Sequence, residues 1–397
     1  MLALYLAPLY ILACVYVVRW LILWLGACHG ILRRPAARGM VIGIFVLLAL
    51  ALPVGFFLPQ GGLRRLVNQI GFYWLGVLAY ILMVLVIADL CRLVTKRLKR
   101  VDDRFIKSRK TFVTSGAICL TAILAVSLYG VVNARVIRVT PYEVTIDKDG
   151  GKLEELNIVL VADMHLGYNI GCAQMEQMVE KINAQEADLV VIAGDIFDND
   201  FDALEDEQRL SEILLGIKSR YGVYACYGNH DIQEPILAGF TFSSDKKKES
   251  DPRMDAFLEA SGITLLQDEG VLIDDSFYLY GRADLERPGR GIDVRKSAAQ
   301  ITENMDLSRP VIVLDHEPRE LLALADAGVD LDLAGHTHDG QMFPGNIVMK
   351  FLWENPCGYL KKGEMHNIVT SGVGLFGPNM RVGTRAEICT VRVHFRG

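Results

Sequence analysis

Ten side chains in the second half of the chain are of types that do metal and proton chemistry. They are Asp163 and His165 in ADMHLG, Asp195 and Asp198 in GDIFD, Asn229, His230 and Asp231 in GNHD, His316 in LDHEP, and His336 and His338 in GHTH. Five of the chain's eight histidines fall in this set. Singly, each has an ordinary explanation: an Asp caps a helix, or a His hydrogen-bonds in a core. Each group, however, ends a short apolar run, and five such endings in succession are not explained by caps and turns. Oxygen and nitrogen donors without thiolate suit Mn²⁺, Fe or Zn²⁺. Two such ions about 3.5 to 4 Å apart clamp the attacking and departing oxygens of an in-line phosphoryl displacement, and one carboxylate must bridge them. His336 and His338 are one residue apart, and alternate residues of extended chain face opposite ways. Both reach one site only if the chain bends, which Gly335 makes inexpensive.

The elements that must position these groups are legible from about residue 156. LNIVLVAD, ADLVVIAGD, YGVYACYGN, RPVIVLDH and VDLDLAGH each read as a buried strand, separated by helical stretches, the pattern of strands joined by crossover helices. In such sheets ligands gather at the carboxyl ends of the strands. MHNIVTSG and EICTVRVHF supply further strands, and residues 241 to 253, with Lys246 to Lys248, read as an exposed loop with a solvated tip.

The ordered set Asp163-x-His165, Gly194-Asp195-x-x-Asp198, Gly228-Asn229-His230-Asp231, His316, Gly335-His336-x-His338 resembles the calcineurin-like metallophosphoesterase superfamily over roughly residues 153 to 395. Within it, GHTHDGQ and SGVGLFGPNMRVGTRAEI are similar to membrane-associated or exported bacterial phosphodiesterases. The resemblance implies an α/β domain of αββα type, two sheets sandwiched between helices, with two divalent metal ions, Mn²⁺ first and Fe or Zn²⁺ as alternatives. It implies that Asp163, His165 and His338 hold one ion, that Asn229, His316 and His336 hold the other, and that Asp195 bridges. His230 then binds a phosphate oxygen or protonates the leaving group, with Asp231 orienting its ring and Asp198 supporting the ligands. A carboxylate beside His230 raises its pKa, which favours the acid role. Asp339 stands where relatives usually have Gly, and Ala162 where Ser is common; Asp339 leaves the loop beyond His338 in doubt.

The first third of the chain is different. With 51% hydrophobic residues and positive mean hydropathy the whole is too apolar for one ordinary soluble protein. Residues 2 to 28, 40 to 58, 70 to 91 and 112 to 132 each offer about 20 apolar positions, enough for a helix to cross a bilayer. The expectation is an all-α membrane domain of four transmembrane helices over residues 1–135 and a metallophosphoesterase domain over 136–397. Residues 1 to 135 carry 16 Lys and Arg against Asp89, Asp102 and Asp103, a balance of +13, which leaves −19 for the remainder. Eight basic residues from Lys96 to Lys110 place the third loop in the cytoplasm by the positive-inside bias, and the catalytic domain on the extracytoplasmic side. The eight cysteines show no C-x-x-C spacing, and Cys226 and Cys389 read as buried thiols.

The expected protein is therefore a multi-pass cell-membrane phosphodiesterase, its partners the lipid bilayer and a phosphate ester, lipid-linked or from the envelope. Two alternatives are carried. A pyrophosphatase of nucleotide-sugar lipids uses the same metals, but in such relatives acts at the cytoplasmic face. A non-catalytic metal-binding sensor predicts a lost ligand, and all seven are present. Nucleic acid is not expected, because the acidic half lacks the basic groove that a phosphate backbone demands.

Overall fold

The computed structural model describes residues 2–97, 102–234, 236–237, 240–241 and 250–397. Lys99, Arg100 and the Lys246 to Lys248 run lie outside the described residues. Two compact units are present. The first comprises residues 1–132 with the short segments 236–243 and 377–380, and the second comprises the rest.

The first unit is helical: α1 (Leu2–Cys28), α2 (Pro35–Ala49), α3 (Ala51–Phe57), α4 (Gly62–Arg97), the single turn α5 (Asp103–Ile106) and α6 (Arg109–Asn133). α1, α4 and α6 are each long and apolar enough to cross a membrane. The second expected span is instead a pair, α2 and α3, bent by 48°. The break has a cause in the sequence. Pro53 has no N–H and its ring clashes with the carbonyl four residues back, which belongs to Ala49, the last residue of α2. The Tyr10 hydroxyl donates to that carbonyl at 2.8 Å, as is needed where no water can satisfy it. Asp89, the one acidic residue within the spans, accepts from the Tyr16 hydroxyl at 2.7 Å.

The second unit holds two six-stranded mixed sheets. The first has the order β1 (Ile137–Ile146), β14 (Ala386–Phe395), β2 (Glu155–Val161), β3 (Leu189–Ala193), β4 (Val223–Cys226), β7 (Ile263–Leu265). The other runs β12 (Gly358–Lys362), β13 (Met365–Val369), β11 (Leu331–Ala334), β10 (Val311–Leu314), β9 (Phe277–Gly281), β8 (Glu269–Ile273). A two-stranded ribbon, β5 (Ile236–Leu237) with β6 (Phe240–Thr241), lies in the first unit.

Side-chain alternation builds the layers. Ile158 and Leu160 of β2 meet Ile312 and Leu314 of β10 in the core between the sheets. Val159 and Val161 face the other way, onto α7 (Cys172–Asn183), α8 (Glu207–Leu215) and α9 (Pro252–Ala260) through Met175, Leu210 and Phe257. On the far side Val311 and Val313 pack on Ile301 of α10 (Ala298–Thr302) and on Leu321 and Leu324 of α11 (Leu321–Asp326). The result is a helix, sheet, sheet, helix sandwich. Strands covered on both faces read as unbroken apolar runs. Cys226 and Cys389 are free, buried thiols in the inter-sheet core.

Candidate metal centre

β2, β3 and β4 run parallel, as do β9, β10, β11 and β13 in the other sheet. Their carboxyl ends deliver Asp163 and His165, Asp195 and Asp198, Asn229 and His230, His316, and His336 and His338. These nine side chains form one cluster. His165 Nε2 lies 3.0 Å from His338 Nε2 and 3.6 Å from Asp195 Oδ2, and His338 Nε2 lies 3.7 Å from Asp163 Oδ1. His316 Nε2 lies 3.1 Å from Asp195 Oδ2, 3.0 Å from Asn229 Oδ1 and 3.1 Å from His336 Nδ1. Asn229 Oδ1 is also 3.0 Å from His336 Nδ1.

The backbone is bent at almost every donor. Asp163, His165, Asp195, His336 and His338 have φ between 46° and 72°, a region that side chains other than Gly enter rarely and that clusters at functional sites. The bend expected at Gly335 is therefore made by the histidines themselves, on either side of Thr337. Gly335 serves close approach instead: a Cβ there would collide with Ala162 Cβ and, at 2.8 Å, with Asp163 Oδ2. Both Asp163 oxygens accept from the His336 N–H, at 3.0 and 3.1 Å, which ties the end of β2 to the end of β11.

The donor set fits two cations. His316 Nδ1 sits 2.9 Å from the Ala193 carbonyl, so the ring donates there and its Nε2 is the atom turned to Asp195 Oδ2, Asn229 Oδ1 and His336 Nδ1. In the protonated ring Nε2 donates to Asp195, and a cation at that point would take the place of that proton. Three compact triads of donor atoms lie among the described residues: Asp163, His165 and His338; Asp195, His316 and His336; and His165, Asp198 and His230. Asp195 reaches the first two.

Burial sets the charges. It pushes the Asp163 carboxyl up to about 6 and, with His316 alongside, holds His336 down to about 3. His338 is likewise kept well below the usual histidine range by burial and by His165. His316 is opposite: burial disfavours its charge, but Asp195 and then Asp163 overcome this and hold it well above 6.5.

Two expectations about His230 are corrected. Asp231 does not orient it, because its oxygens accept from the backbone N–H groups of Phe197, at 2.8 Å, and Gly228, at 2.7 Å, bracing the β3 and β4 loops. The carboxylate near His230 is Asp198, whose Oδ1 is 3.6 Å from His230 Nδ1 and 3.4 Å from His165 Nδ1. The ring is also not held protonated; burial outweighs the neighbouring carboxylates and lowers His230 to about 4.

Several contributors have no role in the sequence-based expectations, and Met349 and Trp353 lie in no motif. A cleft of about 290 Å³ over the cluster is walled by Met349, Trp353, Phe376, Gln341 and Thr337 as well as by the predicted groups. Met349 comes from α12 (Gly345–Leu352), and Trp353 follows it directly. Arg381, fully buried, donates to the carbonyls of Ser371, Gly372 and Gly374 and to that of His338, shaping the loop whose Gly374 N–H binds the Asp163 carbonyl at 2.7 Å. An arginine in an otherwise apolar stretch was the available sign. Asp339 is not among the residues lining the cleft; burial raises it to about 6.

Residues 156–340 match the calcineurin-like phosphoesterase family. The chain is 30% identical over 388 residues to a Danio rerio protein named transmembrane protein with metallophosphoesterase domain, covering 91% of this chain and 82% of that one. A Bos taurus protein of the same name is 29% identical over 422 residues, covering 98% and 87%. A Helicobacter pylori metallophosphoesterase is 29% identical over 250 residues, 60% of each chain.

Proposed function

The chain belongs to the calcineurin-like metallophosphoesterases, and from that premise we propose that it is a membrane-anchored phosphodiesterase with two divalent ions, Mn²⁺ in the first instance, acting on a lipid-linked or envelope phosphate at the outer face. That it is a membrane-associated phosphoesterase follows from the family and from the relatives that share its helical region. The two-ion part of the reading rests foremost on one observation, His316 Nε2 lying 3.0 to 3.1 Å from Asp195 Oδ2, Asn229 Oδ1 and His336 Nδ1 at once.

In this reading Asp163, His165 and His338 hold one ion and Asn229, His316 and His336 the other, with Asp195 shared. The ions supply Lewis acidity and an activated water for in-line displacement at phosphorus. Asp198 keeps the His165 ring turned so that Nε2 faces the centre. His230, neutral at physiological pH, offers an N–H to a phosphate oxygen rather than a proton to the leaving group. Phe376, Met349 and Trp353 form an apolar wall that excludes water from the reacting bond, which strengthens every charge interaction inside.

The outer-face orientation is supported by Lys96 and Arg97 at the end of α4, Arg104 and Lys107 in the connection, and Arg109 and Lys110 at the start of α6. The separability of residues 136–397 is supported by the three hydrophobic clusters of the second unit. The deciding experiment is hydrolysis by the purified, manganese-loaded full chain of bis(4-nitrophenyl) phosphate, a nitrophenyl monoester and a lipid pyrophosphate. Preference for the diester supports the reading, and activity on monoesters alone sinks it.

A further inference from the structure

α12 presents an apolar face that the second unit leaves uncovered. Ile347 and Val348, and Phe351 and Leu352 four residues on, are 46, 49, 84 and 67% exposed, and Phe343 just before the helix is 43% exposed. Residues three and four apart are neighbours on one side of a helix, so these side chains form a continuous patch. Lys350, also exposed, lies off that face. Elsewhere in the described residues of this unit the exposed large hydrophobics, such as Val136, Leu215, Val294 and Leu322, are scattered along the chain. Single exposed apolar residues are ordinary, whereas a contiguous patch marks an interface.

Two features say what covers it. Residues 134 to 136 alone join α6 to β1, so this unit is tethered to whatever bilayer α6 crosses. A short helix with Phe, Leu and Ile on one side and Lys off that side has the make-up of an interfacial helix, which lies in the headgroup region with its apolar side down. The other flank of the same helix supplies Met349, and Trp353 follows it, to the cleft wall over the metal cluster.

We propose that α12 is a membrane-interfacial helix whose outer face beds in the lipid headgroup boundary, so that the cleft it walls takes phosphoesters of membrane lipids. The substrate half of this proposal rests on the phosphodiesterase reading above; the placement of the helix does not. A lipid phosphate lies at the depth where such a helix rests, so the helix that anchors the face also brings the scissile bond to the cleft.

The test uses the full chain in nanodiscs of phosphatidylcholine and phosphatidylglycerol, with the photoreactive residue benzoylphenylalanine at position 351 or, as the control, at Val294, itself 83% exposed. A lipid adduct at 351 and none at 294 is expected. An adduct to a second copy of the chain, or no adduct at 351, overturns the helix placement. A paired assay compares bis(4-nitrophenyl) phosphate in solution with the 4-nitrophenyl ester of dioleoylphosphatidic acid in vesicles, two diesters with one leaving group. F351S with L352S should leave the soluble diester within about 2-fold and cut the lipid diester about 10-fold or more, by removing two apolar side chains from the interface. Equal effects on both diesters overturn the substrate half. If the unaltered chain hydrolyses neither, the phosphodiesterase reading fails and the substrate half with it, while the adduct still decides where the helix lies.

Discussion

The two proposed ligand groups differ in burial, although both reach the cleft. Asp163, His165 and His338 are 0, 1 and 6% exposed, tied down by backbone hydrogen bonds from two loops. In the other group the His336 side chain is 23% exposed and Asn229 is half-buried, although His316 beneath them is fully enclosed. On the proposed assignment the contrast teaches a division of labour, in which one group would hold its ion in the more enclosed place and the other in the more open one. Asp195, 2% exposed, is the hinge of the comparison because its carboxylate lies against imidazole rings of both groups, His165 and His316.

The largest expected effect would abolish the distinction. Asp195→Asn should release both ions and lower diester hydrolysis roughly 10³-fold, about 4 kcal/mol of transition-state stabilisation. Metal analysis of the purified variant checks this, and retention of both ions with activity would remove Asp195 as the shared ligand.

His230→Ala should spare both ions, since that ring belongs to neither group, yet cost about 10²-fold in rate as a lost hydrogen bond to the developing charge. With its pKa held near 4, the loss should be equal for alkyl and nitrophenyl diesters. A much larger loss on alkyl esters would restore the general-acid role.

Asp198→Asn tests the closed group on its own. Loss of a partner that orients a ligand typically costs 10- to 100-fold in metal affinity or activity, and here it should appear in the Asp163, His165, His338 site. Isothermal titration with Mn²⁺ that shows the stronger and weaker steps moving together would contradict the separation.

The smallest effect sharpens the open group through pH. His316 is held protonated above the usual histidine range by Asp195, so an ion that takes its Nε2 must displace that proton. Apparent affinity should therefore rise with pH, by up to about tenfold per unit for each proton released, while His316 is protonated, and level off above its raised pKa. Affinity that fell or stayed flat as pH rose from 6 to 8 would mean that His316 is not a ligand.

Much of this was legible before any coordinates. Strands such as LNIVLV and PVIVL stand out because both faces are buried, so no polar residue interrupts them until the chain leaves the sheet. The ligands stand out because each is the first polar group after such a run. The second membrane segment reads as one apolar run, and the 48° bend between α2 and α3 showed only in the structure, since composition counts apolar residues and not carbonyl partners. Asp231 was preferred to Asp198 as the partner of His230 because it is adjacent in sequence, but its oxygens turn back to the N–H groups of Phe197 and Gly228. Asp198, 32 positions away, arrives by folding. SGVGLFGPNMRVGTRAEI marked the stretch that holds Phe376 and Arg381 but not what those side chains touch, and nothing local announced the outward face of α12, because each matters through neighbours distant in the chain.

Sequence alone determined which side chains carry the chemistry, where the apolar runs lie and which runs suit lipid, because these are properties of residue type and of periods of two and 3.6 that any local window contains. Tertiary structure alone decided which carboxylate faces which imidazole, which histidines are stripped of charge by burial and which ligands are left more exposed. Those are differences of a few ångströms and a few pKa units, and they exist only once two sheets have brought the ends of five strands together.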